Sequence, residues 1–459
     1  MMDLREAAAA TGAKLSGENP GFSGVSTDTR SIAPGELFVA LRGENFDGHD
    51  YLATALEKGA CAALVDARWA DCHAAPMPLV VVDDTRLALG RLAAHWRAKF
   101  DIPLVGITGS NGKTTVKEMT AAILRAQARL DGFDGDAVLA TVGNLNNDIG
   151  LPLTLLKLRP GHRAAVIEMG MNHPGEIAYL TDIARPTVAL VNNAQRAHLE
   201  GMGGLSEVAE EKGAIYNGLP KDGVAVVNAD DTFGAYWKGL NQVRRVVSFG
   251  LDKPADISAI CECRGLSCFI RMQTAAGEIE VMQRLPGRHN VRNALAATAA
   301  TLAAGAAATA VKEGLSVFAG VKGRLQQKPS LQGAILIDDS YNANPDSVRA
   351  AIDVLTATPG KTILVLGDMG EIGERAGQLH DEIGGYAKSQ GVDRLYALGE
   401  FSEAAVGNFG AGARHFEKVE DLIAALLPEL GTDTVVLVKG SRFMRMERVA
   451  NAITAQTKE

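Results

Sequence analysis

From Pro103 onward, short apolar runs alternate with segments of helical periodicity. Four such runs are LVGIT (104–108), AAVIEMG (164–170), TVALVNN (187–193) and GVAVVNAD (223–230). Runs of four to eight apolar residues separated by amphipathic segments are typical of buried strands joined by crossover helices. The pattern therefore predicts a parallel sheet covered by helices.

The pattern changes on both sides of this region. Before residue 98 the apolar runs are shorter and are separated by Gly and Pro turns, as at Glu36–Leu41, Ala62–Val65 and Leu79–Val82, which predicts a small α/β unit. Between Phe249 and Gln283 polar and apolar residues alternate as in exposed strands, and a helix is predicted from about Asn290. A second βα series begins near Gly333. Its runs are AILIDDS (334–340), TILVLGD (362–368), RLYALG (394–399) and TVVLVKGS (434–441).

Together these patterns predict an α/β protein of three domains. The expected boundaries are 1–98 for the small N-terminal domain, 99–319 for a central parallel-sheet domain and 320–459 for a Rossmann-like C-terminal domain. A chain of 459 residues is too long for one ordinary hydrophobic core, which agrees with this division.

Composition narrows the classes of function. The net charge of −8, from 46 basic and 54 acidic residues, argues against a nucleic-acid binder. The N-terminus lacks the basic start and apolar block of an export signal. The apolar window Ala294–Val311 is broken by Gly305, so a packed helix is expected and not a membrane span. We therefore expect a cytoplasmic protein without membrane insertion.

Three of the five cysteines, Cys261, Cys263 and Cys268, lie close together in the sequence. A structural zinc site would need a fourth ligand and paired spacing, and neither is present. Cys261 and Cys263 alternate along a predicted strand, so the expectation is two small buried residues on one face.

The sequence GITGSNGKTT (106–115) follows an apolar strand and opens a helix, VKEMTAAILRAQ. In this context a glycine-rich loop presents backbone N–H groups and a helix N-terminus to phosphate, a lysine adds a full charge, and a hydroxyl can reach Mg²⁺. The alternative is a plain glycine turn. The expected phosphate-binding residues are Gly109, Ser110, Asn111, Gly112, Lys113, Thr114 and Thr115.

Several motifs in the order of the chain resemble the Mur ligases, the ATP-dependent amide-forming enzymes of peptidoglycan precursor synthesis. They are TGSNGKTT, VIEMG, NNAQRAHLEG, EEKGAIYNGLP, PGRHNVRNALAA and the final VKGSR. The resemblance covers all three predicted domains. It implies a nucleotide-sugar-binding N-terminal domain, an ATPase-like central domain, and ATP and Mg²⁺ as cofactors. A monomer is also expected.

The resemblance also implies a magnesium site formed by Thr114, Glu168, His198 and Lys212. Glu168 ends an apolar strand, where ligands of open parallel sheets bind. A loop-capping acid is the alternative for Glu168, and a structural hydrogen bond is the alternative for His198.

Lys212 falls on one predicted helix face with Val208, Ile215 and Leu219. A buried ammonium must be paired, lose its proton or be modified. Pairing with Glu211 is one alternative. In the related ligases the corresponding lysine is carbamylated, which is the hypothesis adopted here.

The remaining nucleotide contacts are also implied by the resemblance. Asn290 and Asn293 are expected near adenine, Arg324 near the phosphates and Asp339 near ribose; Asn290 is alternatively a helix N-cap. Lys113, His198, Lys212 and Arg324 are the expected catalytic residues.

The N-terminal stretch STDTRSIAPGELFVALRGENFDGHDY resembles the uridine-nucleotide-binding domain of the later Mur ligases. Thr27, Thr29 and Asn45 are the expected contacts. The family member that adds a diamino acid carries Asn-Pro-Arg in its C-terminal domain, whereas this chain has Asn344-Pro345-Asp346. The motifs instead resemble the ligase that joins D-alanyl-D-alanine to UDP-N-acetylmuramoyl-tripeptide, which makes these two small molecules the expected substrates.

Other functions stay open at this stage. A diamino-acid-adding Mur ligase and a folylpolyglutamate synthase-like ligase would share the loop and the amide-forming chemistry. A P-loop switch or motor would hydrolyse ATP without an amine, and a pure binding module would not need the lysine and metal residues.

Overall fold

The computed structural model describes residues 1–74, 76–197 and 199–455. Its chain forms three sheets of five or six strands, each flanked by helices, and smaller antiparallel pairings. No helix within the described ranges is both long and apolar enough to cross a bilayer.

The N-terminal part is a mixed sheet with helices packed against it. Its strands are β1 Met2–Asp3, β2 Lys14–Ser16, β3 Gly21–Phe22, β4 Val25–Ser26, β5 Leu37–Val39, β6 Ala62–Asp66 and β7 Leu79–Val82, and its helices are α1 Leu4–Thr11, α2 Leu52–Glu57, α3 Ala67–Cys72 and α4 Thr85–Arg97. The sheet order is β2-β7-β6-β5-β4, and within this five-stranded sheet β2–β7 is antiparallel and the other pairings are parallel. Strands β1 and β3 form a separate antiparallel pair.

The central part contains a parallel sheet in the order β13-β12-β11-β8-β10-β9 and an antiparallel sheet β14-β15-β16. The strands are β8 Leu104–Thr108, β9 Val138–Ala140, β10 Ala164–Glu168, β11 Val188–Val191, β12 Val224–Asn228, β13 Arg245–Phe249, β14 Ser258–Arg264, β15 Ser267–Thr274 and β16 Gly277–Gln283. The helices are α5 Lys113–Leu130, α6 Gly150–Leu155, α7 Glu176–Ala184, α8 Leu199–Met202, α9 Leu205–Gly213, α10 Gly234–Gly239, α11 Arg288–Ala303 and α12 Ala308–Val317.

The C-terminal part is a sheet in the order β17-β18-β22-β19-β20-β21, with β17 antiparallel to β18 and the other pairings parallel. The strands are β17 Gln326–Pro329, β18 Ile335–Asp339, β19 Lys361–Gly367, β20 Arg394–Leu398, β21 Ala413–Phe416 and β22 Thr434–Lys439. The helices are α13 Pro345–Thr356, α14 Ala376–Ser389, α15 Ser402–Phe409, α16 Val419–Leu426 and α17 Glu447–Ile453.

The hydrophobic cores follow the faces of the sheets. One face of the central sheet packs with α6, α7 and α9 and also with α1 and α4, so one apolar cluster joins the first two parts of the chain. The other face packs with α5, α11 and α12. The C-terminal sheet is covered by α13, α14 and α15 on one face and by α16 and α17 on the other. The predicted α/β class with parallel sheets is confirmed, whereas the boundaries near 98 and 320 stay a prediction.

Two local predictions are wrong. Cys263 is exposed and forms a disulfide with Cys268, its partner across the β14–β15 pairing, so it is not a buried thiol beside Cys261. The helix around Lys212 ends at Gly213, and residues 214–218 continue as a 3-10 helix. The apolar face nevertheless stays buried, because a 3-10 turn continues the chain in nearly the same direction.

Candidate functional site

A cleft of about 810 Å³ lies between the central and C-terminal sheets. It is lined by the loops that follow β8, β11, β12, β18, β19 and β22 and by the start of α11. All these loops leave the carboxyl ends of parallel strands, which is where open α/β sheets bind ligands.

The phosphate loop spans residues 109–112 and leads directly into α5. Gly109 and Gly112 have positive φ angles of 154° and 77°. A Cβ on Gly112 would lie 2.5 Å from Asn293 Oδ1, so this position requires glycine for both backbone conformation and space. Lys113 Nζ donates to Gly109 O at 2.7 Å. The predicted strand, loop and helix are confirmed, and the alternative of a plain turn does not explain the lysine at the helix start.

The loop is held by residues that sequence analysis missed. Asn193 accepts from Ser110 N through its carbonyl at 3.0 Å and from Asn111 N through its side chain at 2.8 Å. Asn192 donates its side-chain amide to Asn111 O, and Gln195 exchanges hydrogen bonds with Ser110. The signal available in the sequence was the polar run NNAQ directly after an apolar strand.

Glu168 is the last residue of β10, as predicted, and is buried. Its Oε1 accepts from Asn146 Nδ2 at 2.8 Å, but Oε2 is buried with no hydrogen-bond partner among the described residues. The alternative of a loop cap fails, because neither oxygen accepts a backbone N–H. An unpartnered buried carboxylate oxygen is costly without a cation or a proton, so its chemistry fits a bound metal.

Lys212 is 1% exposed, as its position on an apolar face predicted. Burial and the nearby charge of Lys113 lower the pKa of the Lys212 ammonium well below its ordinary value. Glu211 does not pair with it through a hydrogen bond, because the Glu211 carboxylate accepts Gly175 N and Ile177 N at 2.8 and 2.7 Å. A direct hydrogen-bonded pair with Glu211 is therefore absent, and Glu211 acts on Lys212 only through its nearby charge.

The other two expected metal residues are His198 and Thr114. His198 lies outside the described residues. Thr114 is at the start of α5, where its Oγ1 accepts from Arg324 at 3.4 Å. Within the described ranges, no group of three His, Cys, Asp or Glu side chains is placed to hold a metal. Mg²⁺ commonly uses one or two carboxylates and completes its shell with phosphate and water oxygens, so this arrangement remains compatible with it.

Asn290 and Asn293 lie in the first two turns of α11 and are both buried. They are joined by a hydrogen bond of 3.1 Å, and Asn293 also accepts from Asn192 Nδ2 at 3.0 Å. Asn290 is not the N-cap, because the capping position is Gly287. Both asparagines line the cleft beside the phosphate loop.

Arg324 and Asp339 reach the cleft from the C-terminal part. The Arg324 guanidinium lies 4.2 Å from the centre of the Tyr341 ring and also contacts Thr114 across the cleft. Asp339 Oδ1 accepts Leu325 N at 3.0 Å, and its other oxygen forms an ion pair with buried Lys439. Lys439 belongs to the VKGSR motif, whose signal in the sequence does not specify this pairing.

A second ionic pair lies on the opposite wall. Arg292 bonds to Asp230 at 3.0 Å and to Asp252. Backbone N–H groups of residues 251–253 also donate to Asp230, and these bonds keep the pKa of its carboxyl below the ordinary value despite its burial. Burial lowers the pKa of neighbouring His289 to about 4, so the imidazole is neutral near pH 7.

The central and C-terminal parts meet through side chains across the cleft. Asn111 of the phosphate loop and Asn344, which caps α13, exchange side-chain hydrogen bonds of 2.8 and 3.3 Å. Arg196 donates to Asp346 through its backbone N at 2.9 Å and through its guanidinium at 2.6 Å. These contacts hold the nucleotide loop against the C-terminal sheet.

Thr27, Thr29 and Asn45 lie in the N-terminal part, outside the lining of this cleft. Thr27 and Thr29 are half-buried after β4, and Asn45 is exposed in the turn that Gly43 N closes on Phe46 O. The structure therefore does not bring them together with the phosphate loop.

Comparison with known proteins identifies the family. Three family models match: the Mur ligase family catalytic domain over residues 21–97, the Mur ligase middle domain over 107–301, and the Mur ligase glutamate ligase domain over 323–442. UDP-N-acetylmuramoyl-tripeptide--D-alanyl-D-alanine ligase of Escherichia coli is 43% identical over 96% of this chain and 95% of its own length. The enzyme of that name from Haemophilus influenzae is 43% identical over 97% of both chains.

Solved structures agree with these matches. A crystal structure of MurF from Acinetobacter baumannii is 35% identical, covers 98% of both chains and superposes with a TM-score of 0.90. MurF ligase from Thermotoga maritima in complex with ADP is 26% identical with a TM-score of 0.81, covering 93% of this chain and 96% of that one. A folylpolyglutamate synthase from Mycobacterium tuberculosis shares only the fold, at 17% identity. The chain therefore belongs to the Mur ligase family.

Proposed function

We propose that this enzyme joins D-alanyl-D-alanine to UDP-N-acetylmuramoyl-tripeptide with conversion of ATP to ADP and phosphate, a step of peptidoglycan precursor synthesis. The observation that carries the proposal is the 43% identity to the Escherichia coli ligase of that specificity across 96% of the chain. The geometry of the cleft supports an ATP-dependent reaction, because its phosphate loop faces a separate set of loops on the C-terminal sheet.

The chemistry begins with an unreactive carboxylate. A carboxylate oxygen of the tripeptide attacks the γ-phosphorus of ATP, ADP leaves, and an acyl phosphate forms. The dipeptide amine then attacks the acyl carbon, loses a proton and expels inorganic phosphate. The difficulty is electrostatic, because two anions must approach each other before the first bond forms.

Residues in the cleft, together with Glu168 and Lys212 near Lys113, would reduce this repulsion. Lys113 and Arg324 supply positive charge from the phosphate loop and from the C-terminal part. Mg²⁺, held by Thr114, Glu168, His198 and carbamylated Lys212, would neutralise phosphate charge and act as a Lewis acid. Asn290 and Asn293 would contact adenine and Asp339 ribose, while residues 109–115 would cradle the phosphates.

Lys113→Ala should keep the fold and lose acyl-phosphate formation. The side chain is not part of an apolar core, and its ammonium bonds only to Gly109 O among the described residues. Turnover should fall by at least about 10³-fold, which corresponds to roughly 4 kcal/mol of lost stabilisation of the phosphoryl transfer. Near-normal turnover of a folded variant would remove Lys113 from the mechanism.

The carbamate on Lys212 rests on its burial and on the engagement of Glu211 elsewhere. Carbamylation would turn a buried cation into an anion that can face a metal. Bicarbonate should raise activity at low Mg²⁺, and short-chain carboxylic acids should partly restore Lys212→Ala. An enzyme that is indifferent to bicarbonate, together with a variant that gains nothing from these acids, would show that Lys212 is unmodified.

In the N-terminal part, Thr27, Thr29 and Asn45 are proposed to contact the uridine nucleotide. Alanine substitutions should raise the KM for the UDP-linked substrate and leave the KM for ATP unchanged, because these residues do not line the ATP cleft. We also place the enzyme in the cytoplasm, which fractionation of cells tests. We expect it to be a monomer, which sedimentation of the purified protein tests directly.

The specificity test uses UDP-N-acetylmuramoyl-tripeptide and ATP with different amines. Phosphate release and a pentapeptide product should require D-alanyl-D-alanine and should not appear with lysine or diaminopimelate. Preferential use of a diamino acid with the dipeptide precursor would show a different Mur ligase, and ATP hydrolysis without any amine would show a switch or motor.

A further inference from the structure

The dipeptide substrate carries a free carboxylate, which a cation of the cleft must hold if, as proposed above, the dipeptide is the substrate. Asp346 also lines the cleft, but it is an anion whose carboxylate bonds to Arg196. The carboxylate-binding group is therefore sought among the cationic side chains.

The cationic side chains lining the described cleft are Lys113, Arg292, Arg324, Lys439 and Arg442. Lys113 and Arg324 lie at the phosphate loop. Arg292 is paired with two aspartates, and Lys439 is buried against Asp339. Arg442 differs from all of them: its side chain is 62% exposed, and its one ion pair among the described residues, with Glu447 at 2.9 Å, is a surface contact. Such a pair is weak enough to be shared with a ligand.

We infer that Arg442 binds the C-terminal carboxylate of the dipeptide through its guanidinium. Planar guanidinium groups match carboxylates with two parallel hydrogen bonds, which gives orientation as well as affinity. This inference rests on the proposed function and identifies the amine-substrate subsite of the same cleft.

Arg442 and the phosphate-side Arg324 flank the same aromatic ring. The guanidinium carbons of Arg324 and Arg442 lie 4.2 and 5.8 Å from the centre of the same Tyr341 ring. An extended dipeptide spans roughly 7 Å. The shared ring keeps the two guanidinium groups close together, so a dipeptide anchored at Arg442 can extend toward the phosphate-side cations.

The position of Arg442 is fixed by the residue before it. Ser441 is buried, and its Oγ accepts Gly370 N at 2.7 Å and donates to Ala343 O at 3.1 Å. Its backbone N donates to Asp368 O at 3.0 Å. Ser441 thus ties together the loops that follow β18, β19 and β22. The backbone that carries Arg442 is consequently held in register with both neighbouring loops.

Phe443 supplies an apolar surface next to this cation. Its ring is 63% exposed, lines the cleft and lies against Gly370, where an added Cβ would come within 2.8 Å of the ring. An exposed aromatic ring beside a carboxylate-binding arginine suits a small dipeptide with methyl side chains. The two residues together select for a short apolar peptide with a free carboxylate.

The test compares D-alanyl-D-alanine with its C-terminal amide, at saturating ATP and UDP-linked tripeptide. For the wild type, the KM for the amide should exceed that for the acid by about 10- to 100-fold, because a charged hydrogen-bonded pair is lost. Arg442→Ala should raise the KM for the acid by a similar factor and abolish the discrimination. The KM of Arg442→Lys for the acid should lie between those of the wild type and Arg442→Ala, because lysine keeps the positive charge but cannot form the two parallel hydrogen bonds of a guanidinium.

Two further variants sharpen the result. Arg129→Ala removes another exposed arginine in a 2.8 Å surface ion pair, with Glu313, away from the cleft, and should leave both KM values unchanged. Glu447→Gln removes the competing carboxylate and should lower the KM for the acid by up to about fivefold.

The outcomes separate the two claims. If the wild type uses the dipeptide but Arg442→Ala still prefers the acid over the amide, the Arg442 subsite is wrong while the proposed function stands. A wild type that accepts acid and amide equally also overturns the subsite. A wild type without dipeptide-dependent phosphate release contradicts the subsite and the proposed function together.

Discussion

At the scale of single residues, the buried carboxylate of Glu168 shows how function conflicts with stability. One of its oxygens bonds to Asn146, and the other has no partner among the described residues. A buried polar atom without a partner costs on the order of 1–3 kcal/mol. The cost is understandable if the oxygen serves a cation during the reaction.

Replacing Glu168 by Gln should therefore separate stability from activity. The amide keeps the shape and removes the buried charge, so the melting temperature without metal should equal or exceed that of the wild type. Activity should fall by at least about 10²-fold at any Mg²⁺ concentration. A variant with near-normal activity at ordinary Mg²⁺ would show that Glu168 is not a metal residue.

His289 gives a pH dependence with a defined sign. Its pKa is lowered to about 4 by burial and by the charges of Lys439 and Arg292, whereas the ordinary value is 6.5. Between these values the unfolded chain binds more protons than the folded chain. The stability linked to this group is therefore present above pH 6.5 and is lost as the pH falls through about 4.

The expected loss between pH 7 and pH 4 is roughly 1–3 kcal/mol. His289→Gln should show a smaller drop in melting temperature over this range than the wild type. His73→Gln, at an exposed histidine of the N-terminal part, should keep the wild-type drop. Identical pH profiles for wild type and His289→Gln would mean that His289 is solvated in solution.

At the scale of elements, the start of α5 depends on one glycine. Gly112 has φ +77°, and a Cβ there would lie 2.5 Å from Asn293 Oδ1 and 2.8 Å from Asn192 Nδ2. Gly132, just beyond the end of the same helix, has φ +83° but no atom within 4 Å of the added Cβ. A comparison of substitutions at Gly112 and Gly132 therefore separates the effect of backbone strain from the effect of crowding.

Gly112→Ala should weaken ATP binding at least about 10-fold, because the loop must shift away from both asparagines. Gly132→Ala should cost stability of about 1 kcal/mol from its left-handed backbone and leave ATP binding intact. Calorimetric titration with a non-hydrolysable ATP analogue measures the ATP affinity of both variants. Equal ATP affinity in the two variants would contradict the close approach at Gly112.

Sequence patterns were most informative for elements whose signal is local. β8 and β7 have the predicted bounds because each is a buried apolar run between turn residues. The 3-10 turn after Gly213 has nearly the periodicity of an α-helix over one turn, so the helix appeared longer in the sequence. Cys263 and Cys268 pair through the register of β14 on β15, which composition does not specify.

In the candidate site, too, features with a local sequence signal could be predicted and long-range contacts could not. Residues at strand ends, such as Glu168, could be predicted because parallel strands place their carboxyl ends at one edge. The contacts of Asn111 with Asn344, 233 positions apart, could not be predicted, since they depend on how two separate sheets face each other. For the same reason the resemblance supplied roles for single residues but not the pairing of Asp339 with Lys439.

At the scale of the whole molecule, the cleft is formed by two parts that must stay in register. Arg196 and Asp346 join them through backbone and side-chain hydrogen bonds, and both side chains are at least two-thirds shielded from solvent, with 30% and 23% exposed. Their interaction should therefore be stronger than that of a fully exposed ion pair.

Arg196→Ala and Asp346→Ala should each raise the KM for ATP and increase the radius of gyration in X-ray scattering. The double variant should resemble either single variant, with a coupling energy of about 1–3 kcal/mol. The Arg129–Glu313 pair, which lies within the central part, should give a coupling of about 0.5 kcal/mol or less and no change in scattering. Strictly additive effects at Arg196 and Asp346 would show that the contact does not hold the cleft closed.

The most direct test of the central claim follows the oxygen atoms of the reaction. UDP-N-acetylmuramoyl-tripeptide labelled with ¹⁸O in the reacting carboxylate is incubated with ATP and D-alanyl-D-alanine, and the products are analysed by mass spectrometry. An acyl-phosphate ligase of this specificity predicts a pentapeptide that retains one ¹⁸O and inorganic phosphate that carries the other. Unlabelled phosphate, or label recovered in AMP, would contradict phosphoryl transfer to the carboxylate, and the absence of a pentapeptide would contradict the proposed substrate.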